Sequence, residues 1–225
     1  MSVRGTFLAC LIAAMSAGSA GAAELIVNGG FESGTFTHDP PYPTYETISG
    51  SNSDLTGWTA GAGTSFVWGF NTTDINSYAG SGFVDLTGVG NTVPHGILNQ
   101  TISTVAGQQY TFSVYTTLDP NASTVGITVT ADLSAITLAG TYGTWVGYSP
   151  SGAIWRQLTG NFTAADSSTI ISIAGQAGSS FMIGLDNVSV TGPDAVTVPE
   201  ASTWALMIAG FAGLGFAMHR RRVSA

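Results

Sequence analysis

Between Glu24 and Thr191 apolar residues recur at every second position, in short runs separated by Gly-, Asn- and Ser-rich breaks, and no stretch carries a helical period. Alternation of this kind puts the apolar side chains on one face of a strand, and that face needs a second layer to cover it. Tyr110, Phe112, Val114 and Leu118 face one way, with Thr111, Ser113 and Thr117 the other. Ile127, Val129, Ala131 and Leu133 repeat the pattern against Thr128, Thr130 and Asp132. The same reading predicts strands over 25–28, 65–70, 82–87, 96–105, 155–163, 168–174 and 181–190. In the last of these Ile183 and Leu185 share one parity and Val188 and Val190 the other, as a bulge near Asp186 would produce. About eight to ten short strands in roughly 170 residues are what two packed antiparallel sheets require. That length buries one sizeable core and not two. The expectation is an all-β, jelly-roll β-sandwich over residues 24–191, followed by a linker over 192–197.

Charge narrows the partners. Arg156 is the sole Lys or Arg between Glu24 and Pro199, and twelve Asp and Glu leave that stretch with a formal charge of −11. Such a surface repels phosphate backbones, which excludes nucleic acid. Abundant Gly, Thr, Ser and Asn with few charges suit an extracellular domain that stays soluble through hydroxyls and amides. Cys10 is the only cysteine, and it lies in the first 23 residues, so no disulfide supports the domain. His38 and His95 are far apart and in no metal-ligand spacing, and no pair of acids can be named as a glycosidase pair. A non-catalytic protein is expected.

The two ends read as addresses. Arg4, the apolar run Phe7 to Met15 and the small residues Ser16 to Ala23 have the order of a secretory signal peptide over residues 1–23, with cleavage after Ala22 or Ala23. At the other end Trp204 to Met218 carries no charge and meets His219, Arg220, Arg221 and Arg222. As one short hydrophobic helix these fifteen residues span about 22 Å, less than the ~30 Å hydrocarbon core. The Arg cluster would stay cytoplasmic and everything before it would lie outside.

Val198, Pro199, Glu200, the Trp204-Ala205 pair, the apolar run and the Arg cluster together resemble a PEP-CTERM sorting signal over 198–225. Ala201 stands where the usual Pro-Glu-Pro has its second proline. The resemblance implies an exosortase-type processing enzyme as a partner. It also implies transient anchoring in the inner membrane, then release to the bacterial cell surface or extracellular matrix. An ordinary C-terminal anchor is the alternative.

The stretches Leu25 to Glu32, Gly57-Trp58, Val84 to Gly88, Gly96 to Thr101 and Ala106 to Tyr110, in that order, resemble the choice-of-anchor C family. More distantly they resemble plant DUF642 proteins and galactose-binding-like carbohydrate modules. The resemblance implies a jelly roll in the neighbourhood of extracellular polysaccharide. In such modules the opening Asn-Gly-x-Phe-Glu and a late Leu-Asp-x-Val meet around a calcium ion, which makes Glu32 and Asp186 the candidate ligands. No cofactor is otherwise required, and hydrogen bonding of turns is the alternative role for both acids.

A sugar presents C–H groups to an aromatic face while amides and carboxylates take its hydroxyls. Trp145 and Tyr148, in the Gly-rich stretch 143–148, are the first candidates, with Trp68 and Trp155 also available and Asn71 and Gln157 as polar neighbours. Trp58 reads as core. The expected function is weak glycan binding in an exopolysaccharide matrix. A structural or adhesive role with a protein partner is the alternative, and a hydrolase or an ice-binding face built on Thr128 and Thr130 stands further off.

Overall fold

The structure, a computed structural model, describes residues 22–71, 75–88, 94–119, 126–145, 152–176, 182–193 and 210–211. The signal segment before residue 22, Tyr148, and Val198, Pro199, Glu200, Trp204 and Arg220 to Arg222 of the sorting segment lie outside the described residues. Among the described residues no helix is long and apolar enough to cross a membrane.

The strands are β1 (Ala22–Glu24), β2 (Tyr45–Ser49), β3 (Thr59–Ala60), β4 (Ser65–Phe70), β5 (Gly82–Asp85), β6 (Ile97–Ser103), β7 (Gln109–Leu118) and β8 (Ile127–Ala131). They continue as β9 (Ser134–Ala135), β10 (Ala139–Gly140), β11 (Gly143–Trp145), β12 (Ala153–Ile154), β13 (Arg156–Thr163), β14 (Ser168–Gly175) and β15 (Ile183–Pro193). One sheet runs β10-β13-β7-β15-β5-β4-β2, with β1 beside β15 and β11 beside β7, and the other runs β3-β6-β14-β8-β9. The fold is therefore a two-sheet β-sandwich of jelly-roll type.

Period-two patterning places the core. Phe112 and Val114 of β7, Leu158 of β13, Ile171 and Ile173 of β14, and Leu185 and Val190 of β15 all point between the sheets and are buried. Leu133 departs from its expected place and is 94% exposed. It sits with Asp132 at positive φ in the turn between β8 and β9, so the strand has ended before its parity counts. The predicted strand over 25–28 is also absent, because Asn28 and Phe31 take positive φ and curl the chain. The chain pairs earlier instead, as Ala22, Ala23 and Glu24 lie opposite Pro193, Gly192 and Thr191. β15 thus reaches two residues into the stretch read as linker.

The curled opening segment organises its surroundings through hydrogen bonds. Asn28 Nδ2 donates to Ser33 O and Thr56 O, Trp58 Nε1 donates to Asn28 O at 2.9 Å, and Trp68 Nε1 donates to Phe31 O at 2.9 Å. Both indoles are buried with their one polar atom satisfied, as a core position for Trp demands. Trp58 is core, as expected. Trp68 corrects the sequence reading: at 1% exposure its ring lies between the sheets and offers no face to a sugar.

Candidate glycan-binding face

Outside the ten-stranded sheet two different surfaces adjoin. One end carries a second small apolar cluster of Ile75, Phe83 and Met182, against which Tyr45, Trp145 and Trp155 pack. Gly184 permits this: a Cβ there would lie 2.7 Å from Thr117 Cγ2, 2.8 Å from Met182 Cε and 3.0 Å from Trp155. Trp145 and Trp155 are consequently half-buried against the protein, and Trp155 Nε1 donates to Asn76 O at 2.8 Å.

The other end is polar and open. Strand register sets three cross-strand rows on one face of β13, β7 and β15, because residues directly opposite share a face. Gln157, Tyr115 and Asp186 form the first row, Thr159, Ser113 and Ser189 the second, and Asn161, Thr111 and Thr191 the third. Thr111 Oγ1 donates to Asn161 Oδ1 at 3.0 Å. Glu24 extends the third row from β1. The rows span about 14 Å along β7 at about 3.4 Å per residue.

Tyr78 closes the aromatic end of this surface. Its ring stacks on Tyr115 with centroids 3.5 Å apart and planes 13° off parallel, and Tyr78 is 42% exposed. A hydrogen bond to Tyr115 raises the Tyr78 phenol pKa, with Asp186 adding to the effect. The arrangement offers an aromatic surface beside amide and hydroxyl donors and acceptors, the combination a sugar uses. Sequence reasoning named Gln157 as a polar neighbour but passed over Tyr115. The signal was present, since Tyr115 is an aromatic in the outward parity of a row otherwise made of Thr and Ser.

Glu32 and Asp186 grip the same loop. Glu32 accepts from Ser81 N, Ser81 Oγ and Gly82 N, each at 2.8 Å. Asp186 is fully buried and accepts from Ala79 N at 3.0 Å and from Asn187 N at 2.6 Å. Burial pushes its pKa up to about 7 despite those bonds, and the Glu32 charge adds to the rise. The pairing along β15 slips between Asp186 and Ser189, with Asn187 at positive φ, so the expected bulge is present. The Glu32 charge is felt at Asp186, and carboxylate oxygens are the hard donors that Ca²⁺ takes. Among the described residues no group of three or more His, Cys, Asp or Glu is assembled, so backbone carbonyls would have to supply most of the shell.

Comparison with known proteins places this architecture. Among solved structures, a cyclase from Fischerella sp. in its apo form is 18% identical, covering 80% of this chain and 100% of that one at a TM-score of 0.50. The CBM22-1 xylan-binding domain of Xyn10C from Paenibacillus barcinonensis is 16% identical over 67% of this chain and 95% of that one, with a TM-score of 0.44. A CBM4 structure is 19% identical over 74% and 99%, with a TM-score of 0.38. No curated protein matches the sequence significantly. The model of the carbohydrate binding domain family CBM_4_9 matches residues 23–179, most of the sandwich, and the chain belongs to that family.

Proposed function

We propose that this protein is a non-catalytic, exported carbohydrate-binding protein that holds glycan weakly on the face of β13, β7 and β15. The observation that carries the reading is the Tyr78–Tyr115 stack at one end of three rows of amides and hydroxyls. Membership of a carbohydrate binding family supports it. The charge supports a neutral glycan in particular, since the exposed Glu24 borders the rows in a domain whose single Lys or Arg is Arg156. A calcium ion at Glu32 and Asp186 would brace the loop that carries Tyr78. The signal peptide and the PEP-CTERM-like tail support export, exosortase processing at Pro199-Glu200 and residence at the cell surface or in an exopolysaccharide matrix.

Affinity electrophoresis through gels containing xylan, a β-glucan or alginate tests the binding. Retardation by a neutral polysaccharide is expected, weaker in alginate, and reduced about tenfold by Tyr115→Ala or Gln157→Ala, in line with the loss of a central contact. If only Trp145→Ala combined with Tyr148→Ala abolished retardation, the site would move to residues 143–148. If no polysaccharide retarded the wild type, the alternative of a structural or adhesive protein would replace this reading.

A further inference from the structure

Trp155 was offered by the sequence as a ring for sugar to stack on, yet its indole faces inward and its N–H is spent on a loop carbonyl. The loop in question, residues 75–82, carries Tyr78. Its downstream half is held from two other elements, by Asp186 on Ala79 N and by Glu32 on Ser81 and Gly82. From just after β4, the Asn71 side chain accepts from Ser77 N and donates to Gly80 O across the loop. Its upstream half is tied down by Ile75 in the small apolar cluster and by the Trp155 hydrogen bond to Asn76 O at 2.8 Å. Tyr78 follows Asn76 by two residues and its own backbone N–H is held by Asp186, so the Trp155 bond at Asn76 and the Asp186 carboxylate at Tyr78 and Ala79 act together to set where the Tyr78 ring lies over Tyr115.

We propose that Trp155 is a positioning residue for the glycan face, a latch that fixes the 75–82 loop and thereby keeps Tyr78 stacked on Tyr115. This rests on the reading of that face as the glycan site. The latch explains the choice of side chain. Phe in the same place would pack against the cluster but carry no donor, whereas the indole N–H meets the Asn76 carbonyl.

Trp155→Phe removes the donor and leaves a smaller aromatic ring against the cluster; an unchanged Tm shows that the fold survives while the latch opens. One hydrogen bond of ordinary strength corresponds to roughly a three- to tenfold change in the closed population. Amide hydrogen exchange at Ala79 and Ser81 should therefore quicken by about that factor, with the amides of β7 and β15 unchanged. Affinity for soluble xylan, or for whichever neutral polysaccharide retards the wild type, should fall by a similar factor. Because Trp155 acts through Tyr78, the same substitution should cost nothing further in a Tyr78→Ala background. Unchanged exchange in the loop overturns the latch, whether or not glycan binds. An equal loss of affinity with and without Tyr78 also overturns it, since Trp155 would then be touching the sugar. Loss of binding in Tyr115→Ala with none in Trp155→Phe refutes the latch alone, whereas no binding by any form refutes the glycan reading and leaves exchange to judge the latch.

Discussion

Gln100 shows how much one side chain can organise in this fold. From β6 its amide accepts from Val27 N at 2.7 Å and donates to Val27 O at 2.9 Å, reproducing with a side chain the pair of bonds a neighbouring strand would make. The opening segment, which is not a strand there, is held against the sandwich by that clasp. Gln100→Ala removes both bonds at once and should lower the unfolding free energy by about 1–3 kcal/mol, measured by urea denaturation. A loss below about 0.5 kcal/mol would mean that water replaces the amide without cost. The sequence presented Leu25 to Glu32 and Gly96 to Thr101 as separate members of one family pattern but held no sign that the two meet. Gln100 supplies the contact, and only the folded chain brings positions 73 apart within reach. Aromatic residues were hardest to assign for a related cause. Val67, Trp68 and Gly69 are buried although they face opposite ways, because β4 has the main core on one side and the small cluster on the other. Where both faces of a strand are covered, parity no longer separates inside from outside.

At the scale of elements, three strands carry carboxyls whose pKa values burial raises: Glu46 on β2, Asp85 on β5 and Asp186 on β15. A carboxyl with a folded pKa above its unfolded value keeps its proton longer in the native state. Its contribution to stability is complete below the unfolded value near 4 and is lost as pH rises through the folded value, which for Asp186 is about 7. With EDTA present, Tm should therefore fall as pH is raised from about 5 to 8, the reverse of a protein whose carboxylates are salt-bridged. A flat profile would show that these groups reach water or partners in solution. Calcium provides the complementary test. If Glu32 and Asp186 hold an ion, calcium at about a hundred times its Kd adds about 2.7 kcal/mol and raises Tm by several degrees at pH 8. No calorimetric heat and no change in Tm with EDTA would leave both acids as braces for the 78–82 turn alone. Most of the longer strands were readable because they alternate on a half-buried face, and even the bulge showed as a phase change, but the five-residue strand β2 was missed although it alternates. The two-residue strands β3, β9, β10 and β12 were not readable, since two residues are too few to display a period.

For the whole molecule the decisive geometry is where the sandwich begins and ends. Ala22 lies opposite Pro193, so the first and last described residues of the sandwich are neighbours. The Tyr78–Tyr115 end of the face lies towards the start of β15 and the Thr191 row towards its end. Removal of a signal after Ala22 or Ala23 would trim β1 but leave Glu24, whose carboxylate accepts from Ile26 N at 2.8 Å, Val190 N at 3.0 Å and Ser189 Oγ. The mature start is thus held to β15 by a side chain that survives cleavage. A cut at Pro199-Glu200 would fall beyond the last strand and leave every pairing of β15 intact. Protein isolated from its host should accordingly have a mass that begins near Glu24 and ends near Pro199, and it should be found outside the cell. A chain lacking everything after Pro199 should melt at the same temperature as the full chain, because every pairing of β15 among the described residues is kept. Recovery in the inner membrane with Trp204 to Arg222 still attached would refute the sorting half of the proposal. It would leave the binding face intact but facing the periplasm, where the glycan to be sought is a different one.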